Sequence, residues 1–403
     1  MTRVDSKEKQ ECCGCTACEM MCPRHAITMK PDTMGFLYPA ISHELCVNCG
    51  LCVRVCNFRE EFHRVTPLSY PATFAGRVHD AASLAKSQSG GMFAAISDIF
   101  LAEGGVVYGA GFEGHFRVAH QRACTPEERD ALRKSKYVQS DMRGVFNKIS
   151  DDLKSGVKVL FCGTACQVAG VQSVFGKKWE KQLYLLDIVC HGVPAPNVWR
   201  DYIAWSEKRY GGEVEEAIFR NKPEFGWKSC VESLKINGKW YHSRVYSFLF
   251  FECYMLRPSC HNCYFCNTLR PSDITIADMW GMPEEVSEMI ADNKGCSYIQ
   301  VNSEKGKILL SRCRSQLQML EFPHGKYTQH NLHNPTAPSS LRDSFRQDYE
   351  TKGFEYVVKK YGNVTWRRKI RIWLQKAGIL PLFFRIKGKL RHECKRLMQW
   401  YSA

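Results

Sequence analysis

Two runs of cysteines near the N-terminus share one spacing, Cys-x2-Cys-x2-Cys-x3-Cys. The first run consists of Cys12, Cys15, Cys18 and Cys22, and the second consists of Cys46, Cys49, Cys52 and Cys56. Three thiolates in one tight loop can bind three irons of a [4Fe-4S] cube, and the fourth thiolate follows at the start of the next helix. The spacing therefore predicts clusters that carry one electron at a time.

The repeat predicts two clusters that exchange their fourth ligands, as in bacterial two-cluster ferredoxins. We expect the first cluster at Cys12, Cys15, Cys18 and Cys56, and the second at Cys46, Cys49, Cys52 and Cys22. Structural zinc is the alternative, but it needs only four thiolates in two pairs rather than eight in two runs. Cys13 falls outside the spacing and is predicted to be a small buried residue.

A third group of cysteines, Cys260, Cys263 and Cys266, repeats the triplet without a fourth cysteine at the same distance. A third [4Fe-4S] cluster would need a ligand from elsewhere in the fold, and the candidates are Cys162, Cys166, Cys190 and Cys253. Cys166 and Cys190 closely follow predicted strands, and the carboxyl ends of strands can bring such thiols together. We favour Cys190. A zinc site or unligated core cysteines are the alternatives.

Two glycine-containing turns are candidates for holding the phosphate of a cofactor. Ser89, Gly90 and Gly91 precede a predicted helix, with Ser89 as its expected N-cap, and helix N-termini bind anions. The second turn lies between a strand and a helix and contains Gly163, Thr164 and Gln167. A basic segment that could meet a pyrophosphate consists of Lys134, Ser135, Lys136 and Tyr137. Neither turn has the Rossmann or P-loop pattern, and simple helix capping is the alternative.

A flavin would connect these features. Iron–sulfur clusters pass single electrons, whereas most organic substrates accept two electrons or a hydride, and a flavin converts between the two modes. We therefore expect FAD or FMN beside the third cluster. His191, next to Cys190, is a candidate catalytic acid or flavin neighbour, and a structural loop histidine is the alternative.

The elements that must position these residues alternate between strands and helices. Residues 26–38 predict a hairpin between the two N-terminal cysteine runs. Strands are predicted at 73–76, 106–110, 157–161 and 184–189, and helices at 92–103 and 145–153. This order predicts an α/β domain with a largely parallel sheet, fused to an α+β ferredoxin-like domain.

We divide the chain of 403 residues into four parts: a two-cluster ferredoxin domain at 1–66, the N-terminal part of the α/β domain at 67–143, its C-terminal part with the third cysteine group at 144–345, and a basic tail at 346–403. The 21 cysteines and an N-terminal segment without an apolar stretch indicate metal-bound thiolates in a reducing cytoplasm rather than disulfides.

The positive charge of the chain is concentrated in the tail. Residues 352–403 hold 14 Lys and Arg against two Glu, a net +12 of the chain's +15. Apolar residues recur there at helical spacing, at Trp366, Ile370, Trp373 and Leu374 and again beyond Pro381, so two basic amphipathic helices are predicted. Such helices lie on anionic membranes, and the alternatives are docking on the protein's own body or on a partner. Nucleic-acid binding is not expected, because the rest of the chain has no binding motif.

Several segments together resemble the coenzyme F420 hydrogenase/dehydrogenase beta-subunit family. They are residues 134–140 (Lys-Ser-Lys-Tyr-Val-Gln-Ser), 163–167 (Gly-Thr-Ala-Cys-Gln), 187–194 (Asp-Ile-Val-Cys-His-Gly-Val-Pro) and 272–281, which follows the third cysteine group. The resemblance covers residues 1 to about 340. It implies a flavin, usually FAD, near a [4Fe-4S] cluster, with the three turns and segments described above placed around the flavin. Members of the family commonly have proline where Ala165 stands.

The leading hypothesis is a cytoplasmic iron–sulfur flavoprotein oxidoreductase that exchanges hydride with a small substrate or carrier and electrons with a redox partner. It would contact the inner face of the membrane if the basic tail binds lipid. The second hypothesis is a non-catalytic electron-transfer module that relays to a partner enzyme. A third hypothesis makes the α/β domain a zinc-stabilised binding module that carries a redox sensor.

Overall fold

The strands of the protein form three sheets. A computed structural model of the chain describes residues 3–62, 64–65, 67–68, 71–281, 284–323, 325–326 and 329–377. The strands are β1 (Ile27–Pro31), β2 (Leu37–Ile41), β3 (Ala72–Val78), β4 (Val106–Glu113), β5 (Arg117–Ala123), β6 (Val159–Thr164), β7 (Leu183–Ile188), β8 (Val214–Ile218), β9 (Glu232–Ile236), β10 (Lys239–Ser243), β11 (Ile274–Asp278), β12 (Ser297–Val301) and β13 (Leu317–Phe322).

The helices pack on these sheets or link them. They are α1 (Ala17–Met20), α2 (Leu51–Val55), α3 (Ala81–Lys86), α4 (Met92–Ala102), α5 (Pro126–Ala131), α6 (Val145–Lys154), α7 (Ala165–Phe175), α8 (Pro196–Tyr210), α9 (Lys222–Phe225), α10 (Val245–Phe251), α11 (Ser287–Ala291), α12 (Glu304–Cys313), α13 (Arg342–Tyr361) and α14 (Trp366–Lys376). Within the described residues, no helix is long and apolar enough to cross a bilayer.

The predicted hairpin between the cysteine runs is present. Strands β1 and β2 pair antiparallel from Ile27 opposite Ile41 to Pro31 opposite Leu37. The turn is fixed by the carboxylate of Asp32, which accepts from the backbone N–H groups of Met34 and Phe36 at 3.0 and 2.9 Å. An acceptor of this kind is typical of an Asx turn. The hairpin, α1 and α2 together make the small N-terminal domain.

The main sheet has eight strands in the order β13-β3-β12-β11-β7-β6-β4-β5. The pairs β4–β6, β6–β7 and β7–β11 are parallel, whereas the other four pairs are antiparallel. The expectation of a largely parallel sheet is therefore wrong, and the sheet is mixed. Its edges are antiparallel because β5 returns from β4 through a short hairpin and because β3 lies between two strands from the end of the domain.

The helices cover both faces of the main sheet. One face packs on α6 and α7, and buried side chains of the N-terminal domain, among them Val55 and Phe58, join the same core. The other face packs on α4 and α12 through Met92, Ile96 and Leu309. The N-terminal domain thus packs directly on α7, the helix that follows β6. A third core joins α8, α10 and α13 to the small antiparallel sheet β8-β9-β10, which the sequence pattern did not predict.

The first predicted tail helix is present as α14, and the second lies outside the described residues. Leu374 is buried and Lys376 pairs with Glu224 at 2.6 Å, so one side of α14 docks on the body of the protein. On its other side Trp366 and Trp373 are 67% and 62% exposed.

Candidate functional site

The two N-terminal cysteine loops have the same backbone conformation. The second residue after the first cysteine has positive φ in both loops, at Gly14 (71°) and Asn48 (54°). The fourth residue does as well, at Thr16 (66°) and Gly50 (71°). Left-handed residues at alternate positions curl each loop, as a loop that presents three thiolates to one cluster requires. The helices α1 and α2 then follow, and each brings its fourth cysteine to the end of a short helical turn.

Cys22 and Cys56 each lie near thiols of the other cysteine run. Cys56 lies near Cys12 and Cys18, close enough for their charges to interact. Cys22, from the first run, lines a second cavity together with Cys46, Cys49 and Cys52. The four thiols of the second set line one cavity, and this donor set suits a [4Fe-4S] cube.

Hydrogen-bond donors surround these thiols. The backbone N–H of Ala26 lies 3.3 Å from Sγ of Cys22, and Nζ of Lys7 lies 3.4 Å from Sγ of Cys56. The guanidinium of Arg257 lies 3.7 Å from Sγ of Cys12. Donors that stabilise negative sulfur raise the reduction potential of a bound cluster, as do positive charges beside it.

The third cysteine group lines a cavity of about 500 Å3, including its opening, between the N-terminal domain and the main sheet. Cys260, Cys263 and Cys266 all face it. Two of the four candidate fourth ligands, Cys166 and Cys190, also line it, whereas Cys162 and Cys253 are not among its lining residues. Convergence at the carboxyl ends of β6 and β7 therefore brings the two thiols together, as the strand positions suggested.

The surroundings of the two remaining candidates differ. The thiol of Cys190 accepts from the backbone N–H of Gly192, and that of Cys260 accepts from the next N–H, of Val193, at 3.3 Å. Burial raises the pKa of Cys190 to about 12. The thiol of Cys166 also accepts from a backbone N–H, that of Gln167, and it is in addition hydrogen-bonded to Cys13, which lowers the pKa of Cys166 to about 7. Paired backbone donors on Cys190 and Cys260 favour these two as neighbouring ligands.

Buried positive charge lies on the wall of this cavity. Two buried guanidinium groups, of Arg257 and Arg270, stand on the cavity wall and can balance thiolate charge. Arg270 is itself paired with the buried Asp187 at 2.9 Å.

The segments predicted to hold a flavin meet at the carboxyl edge of the main sheet. Arg133 donates to Oγ of Ser87 at 2.8 Å, beside the Gly90-Gly91 turn. Nζ of Lys222 donates to the carbonyl oxygen of Leu84 at 2.6 Å and lies 3.5 Å from that of Ser89. Two buried donors here, Nε of Arg133 and Nε2 of Gln88, have no hydrogen-bond acceptor among the described residues. Unsatisfied donors among several cations fit a phosphate.

The role expected of Ser89 as an N-cap is wrong. Helix α4 begins at Met92, so Gly91, with a φ of 90°, occupies the N-cap position. No side chain caps the helix. Oγ of Ser89 instead donates to the carbonyl oxygen of Cys296 at 2.7 Å. Gly90 is required by packing, because a Cβ there would overlap the carbonyl oxygen of Gly76.

The basic segment at 134–137 is half-buried. Lys134 has a φ of 68°, which is unusual for a lysine and turns the chain toward the sheet edge. Burial lowers the pKa of Lys136 to about 7, and the nearby charge of Lys134 acts in the same direction. Tyr137 stacks on Phe250 at 4.7 Å, and Ser135 is half-buried between the two lysines.

The turn after β6 connects the cysteine cavity to this basic edge. Gly163 and Thr164 belong to β6, which begins two residues later than predicted and runs to Thr164. Gln167 and Thr164 form a capping box at the start of α7, and Gln167 also donates to Oγ of Ser140 at 2.8 Å. Thr164 lines the cysteine cavity, while Lys136 lies near Cys162 on the other side of the turn.

His191 lines the cysteine cavity rather than the basic edge. Its Nε2 lies 3.5 Å from Sγ of Cys253, and its Nδ1 lies 3.3 Å from Oγ1 of Thr336. Burial lowers its pKa, so the ring is neutral at pH 7.

Two aspartates near β11 form ion pairs. Asp273 pairs with Lys305 at 3.3 Å, and Asp278 pairs with Arg220 at 2.5 Å.

Two residues that the sequence pattern did not mark are central to the site. Arg257 is fully buried between the first cysteine loop and the third cavity. Arg220 pairs with Asp278 and lies against the ring of Trp280, 5.2 Å from its centroid. Each is a single arginine without a motif around it, so no local signal could have identified either.

Known proteins resemble two regions of this chain. Residues 11–59 match the 4Fe-4S dicluster domain model, and residues 156–323 match the model for the C terminus of the beta subunit of coenzyme F420 hydrogenase/dehydrogenase. One chain of a xenon-derivatised F420-reducing [NiFe] hydrogenase complex from Methanosarcina barkeri is similar over 72% of this chain and 92% of that chain, with 15% identity and a TM-score of 0.45. No curated protein matches the chain.

The predicted family resemblance is thereby confirmed, and the iron–sulfur character of the N-terminal domain with it. The cysteine spacing, the crossed grouping and the family models agree on the same two regions of the chain. Residues 156–323 thus resemble the C terminus of the coenzyme F420 hydrogenase/dehydrogenase beta subunit, and the chain joins this region to an N-terminal 4Fe-4S dicluster domain.

Proposed function

We propose that the protein is an iron–sulfur flavoprotein oxidoreductase. Electrons would pass between the two N-terminal clusters, a third cluster and a flavin that exchanges hydride with a small substrate or carrier. The observation that carries this proposal is the order of the sites. The cysteine cavity lies between the first cysteine loop and the turn after β6, and that turn also borders the basic sheet edge.

The third cluster would be held by Cys260, Cys263, Cys266 and Cys190. The adjacent backbone donors of Gly192 and Val193 support Cys190 as the fourth ligand. Cys166 would then act as a neighbour that is hydrogen-bonded to Cys13 on the side of the first cluster.

The flavin would lie along the carboxyl edge of the sheet, with its phosphates among Arg133, Lys134, Lys136 and Lys222. When bound there, a flavin supplies the conversion between single electrons and a hydride. Gln167 is held by Thr164 and Ser140, so it presents a fixed amide at this edge. Lys136, whose pKa is about 7, can hold or release a proton beside it. We retain His191 as a candidate catalytic residue or flavin neighbour on the cavity side.

The protein would work with a redox partner in a reducing compartment such as the cytoplasm. All described cysteines are free thiols, which is consistent with that setting. The exposed tryptophans of α14 support contact with the inner face of an anionic membrane.

The test is anaerobic purification followed by analysis of iron, acid-labile sulfide, zinc and flavin per chain. We expect about 12 irons, from three cubane clusters, with one flavin and no zinc. A result of about eight irons and no flavin would contradict the proposal and leave a non-catalytic electron relay. Stoichiometric zinc with fewer irons would instead favour a zinc-stabilised binding module.

A further inference from the structure

The two N-terminal cysteine loops are alike in sequence and conformation but differ in their surroundings. In the first loop Cys13, Cys15 and Ala17 are buried in the core shared with α7, and a Cβ on Gly170 would lie 3.0 Å from Sγ of Cys15. In the second loop Leu45 and Val47 are 45% and 61% exposed, and Cys49 is exposed as well. The fold therefore gives two equivalent clusters unequal access to solvent.

This difference places the two cluster sites in series. The first site contacts the third cavity through Arg257 and through the Cys13–Cys166 hydrogen bond. The cavity of the second site is lined only by residues within 3–52, so no residue of the α/β domain lines it. A cluster in the second site would be the outermost of the three and the first that an external electron carrier could approach.

The surface around the second site is positively charged. Arg24 and Arg54 are exposed beside Cys22 and Cys52, and neither forms an ion pair with any residue that the structure describes. Arg3 also lines the cavity, and its charge is offset by Asp5 at 3.7 Å. Within this loop Glu44 is the exposed acidic residue. The rim therefore carries three arginines against Asp5 and Glu44, an excess of one positive charge, around a small apolar centre.

We propose that this surface, which we call the electron port and define by Arg24, Leu45, Val47, Cys49 and Arg54, docks an acidic one-electron carrier protein. Transient redox complexes bury little area and depend on complementary charge for rapid encounter. A small apolar centre within a basic rim suits a carrier with an acidic rim. In each encounter the reduced carrier loses one electron and the port site gains it, and no bond forms or breaks.

The inference rests on the proposed electron-transfer function, but its test does not need the flavin. The cluster-loaded, full-length protein is mixed by stopped flow with a reduced acidic [2Fe-2S] ferredoxin, and cluster bleaching is followed. The variant is R24E/R54E, and the matched control is K239E/K307E, which reverses two exposed lysines on β10 and α12. The second electron donor is the methyl viologen radical, a small cation.

The two donors should respond in opposite directions. At low ionic strength we expect R24E/R54E to react at least about tenfold more slowly with the ferredoxin, and the difference should largely vanish at high salt. The same variant should react faster with the methyl viologen radical, because two repelling charges have gone. A changed cluster potential would instead move both rates in the same direction, which would contradict the docking role.

Binding gives a second readout that is independent of electron transfer. Titration calorimetry with the oxidised ferredoxin should show weaker binding by R24E/R54E than by the wild type and K239E/K307E, with an intermediate value for R24Q/R54Q. Equal binding by all four proteins would overturn the proposal. A wild-type protein that viologen reduces but the ferredoxin does not would show that the partner chemistry is wrong. Failure of the proposed function would be seen separately, as missing flavin.

Discussion

Nε of Arg257 donates to the carbonyl oxygen of Cys12 at 2.8 Å, across 245 residues of sequence. The same guanidinium donates to the carbonyl oxygen of Leu37 and to Oε1 of Gln139, both at 2.8 Å. It also lines the third cysteine cavity. One buried cation thus links the N-terminal domain to the α/β domain and lies beside both the first cysteine loop and the third cysteine group.

We expect Arg257→Gln to lower the reduction potential of the first cluster, because a positive charge that stabilises the reduced form has been removed. A shift of ~60 mV corresponds to a tenfold change for a one-electron couple and is the size we expect for a single buried charge. The variant should also be less stable by about 1–3 kcal/mol, since it leaves buried acceptors without a donor. Potentiometric titration followed by electron paramagnetic resonance measures the potential.

Arg257→Lys is the matched control, because it keeps the charge and loses the planar fork of donors. Arg257→Lys should have a reduction potential close to that of the wild type, but its free energy of unfolding should be lower. If both variants retain the wild-type potential, the role of Arg257 is confined to joining the domains.

Iron content tests the proposed third cluster and identifies its fourth ligand. Cys190→Ser and Cys263→Ser should each reduce the iron by about four atoms per chain, because a cubane cluster requires all of its thiolates. Cys166→Ser should retain the iron, since the Cys166 thiol is engaged by Cys13 and Thr164. The opposite result for Cys166 and Cys190 would exchange their roles, and unchanged iron in all three variants would show that no third cluster is present.

The sequence predicted the features that depend on local spacing. The crossed grouping of eight cysteines, the hairpin at β1 and β2 and the central strands β4, β6 and β7 all follow from patterns within a few tens of residues. Among the four candidate fourth ligands, Cys166 and Cys190 could be favoured from the sequence because each follows a parallel strand. The two thiols differ in that Cys166 is hydrogen-bonded to Cys13, and the sequence pattern does not carry that information.

The pairing of strands that lie far apart in the sequence could not be predicted from local patterns. Strand β3 pairs with β12 and β13, which lie more than two hundred residues later, and alternation of strands and helices does not fix the direction of such pairs. The mixed sheet therefore differs from the expected parallel one at its edges. Ser89 fails as a helix cap for a related reason, because its hydroxyl is taken by Cys296 from a distant loop.

The binding of FAD to flavin-depleted protein should depend on pH through Lys136. Burial lowers the pKa of Lys136 from its ordinary 10.5 to about 7, and a nearby pyrophosphate would raise it again. Binding therefore takes up a proton, and FAD affinity should weaken by up to about tenfold per pH unit as pH rises above 7. Fluorescence quenching of FAD at a series of pH values measures this dependence.

The lowered pKa of Lys136 also makes the free energy of unfolding depend on pH. Between pH 7 and 10.5 the unfolded chain holds a proton on Lys136 that the folded protein has released, so this group makes unfolding more costly as pH rises through that window. Lys136→Met should remove both pH dependences, whereas Lys307→Met, at an exposed site on α12, should remove neither. Unchanged pH dependence in Lys136→Met would exclude Lys136 from the phosphate site.

The outer side of α14 should bind anionic vesicles. Trp366 and Trp373 are exposed together with Ile370, while Leu374 holds the helix to the body. Tryptophan prefers the membrane interface, and each cation near an anionic surface contributes about 1 kcal/mol. We expect the protein to sediment with phosphatidylserine-containing vesicles at low salt, and W366S/W373S to lose most of that binding.

The control for this helix is Tyr356→Ser on α13, which removes another exposed aromatic ring and should leave vesicle binding unchanged. If W366S/W373S sediments like the wild type, Trp366 and Trp373 do not contact lipid. Equal binding to purely zwitterionic vesicles would show that the charge of the helix has no part in the contact, because only an anionic surface attracts the lysines and arginines between the tryptophans.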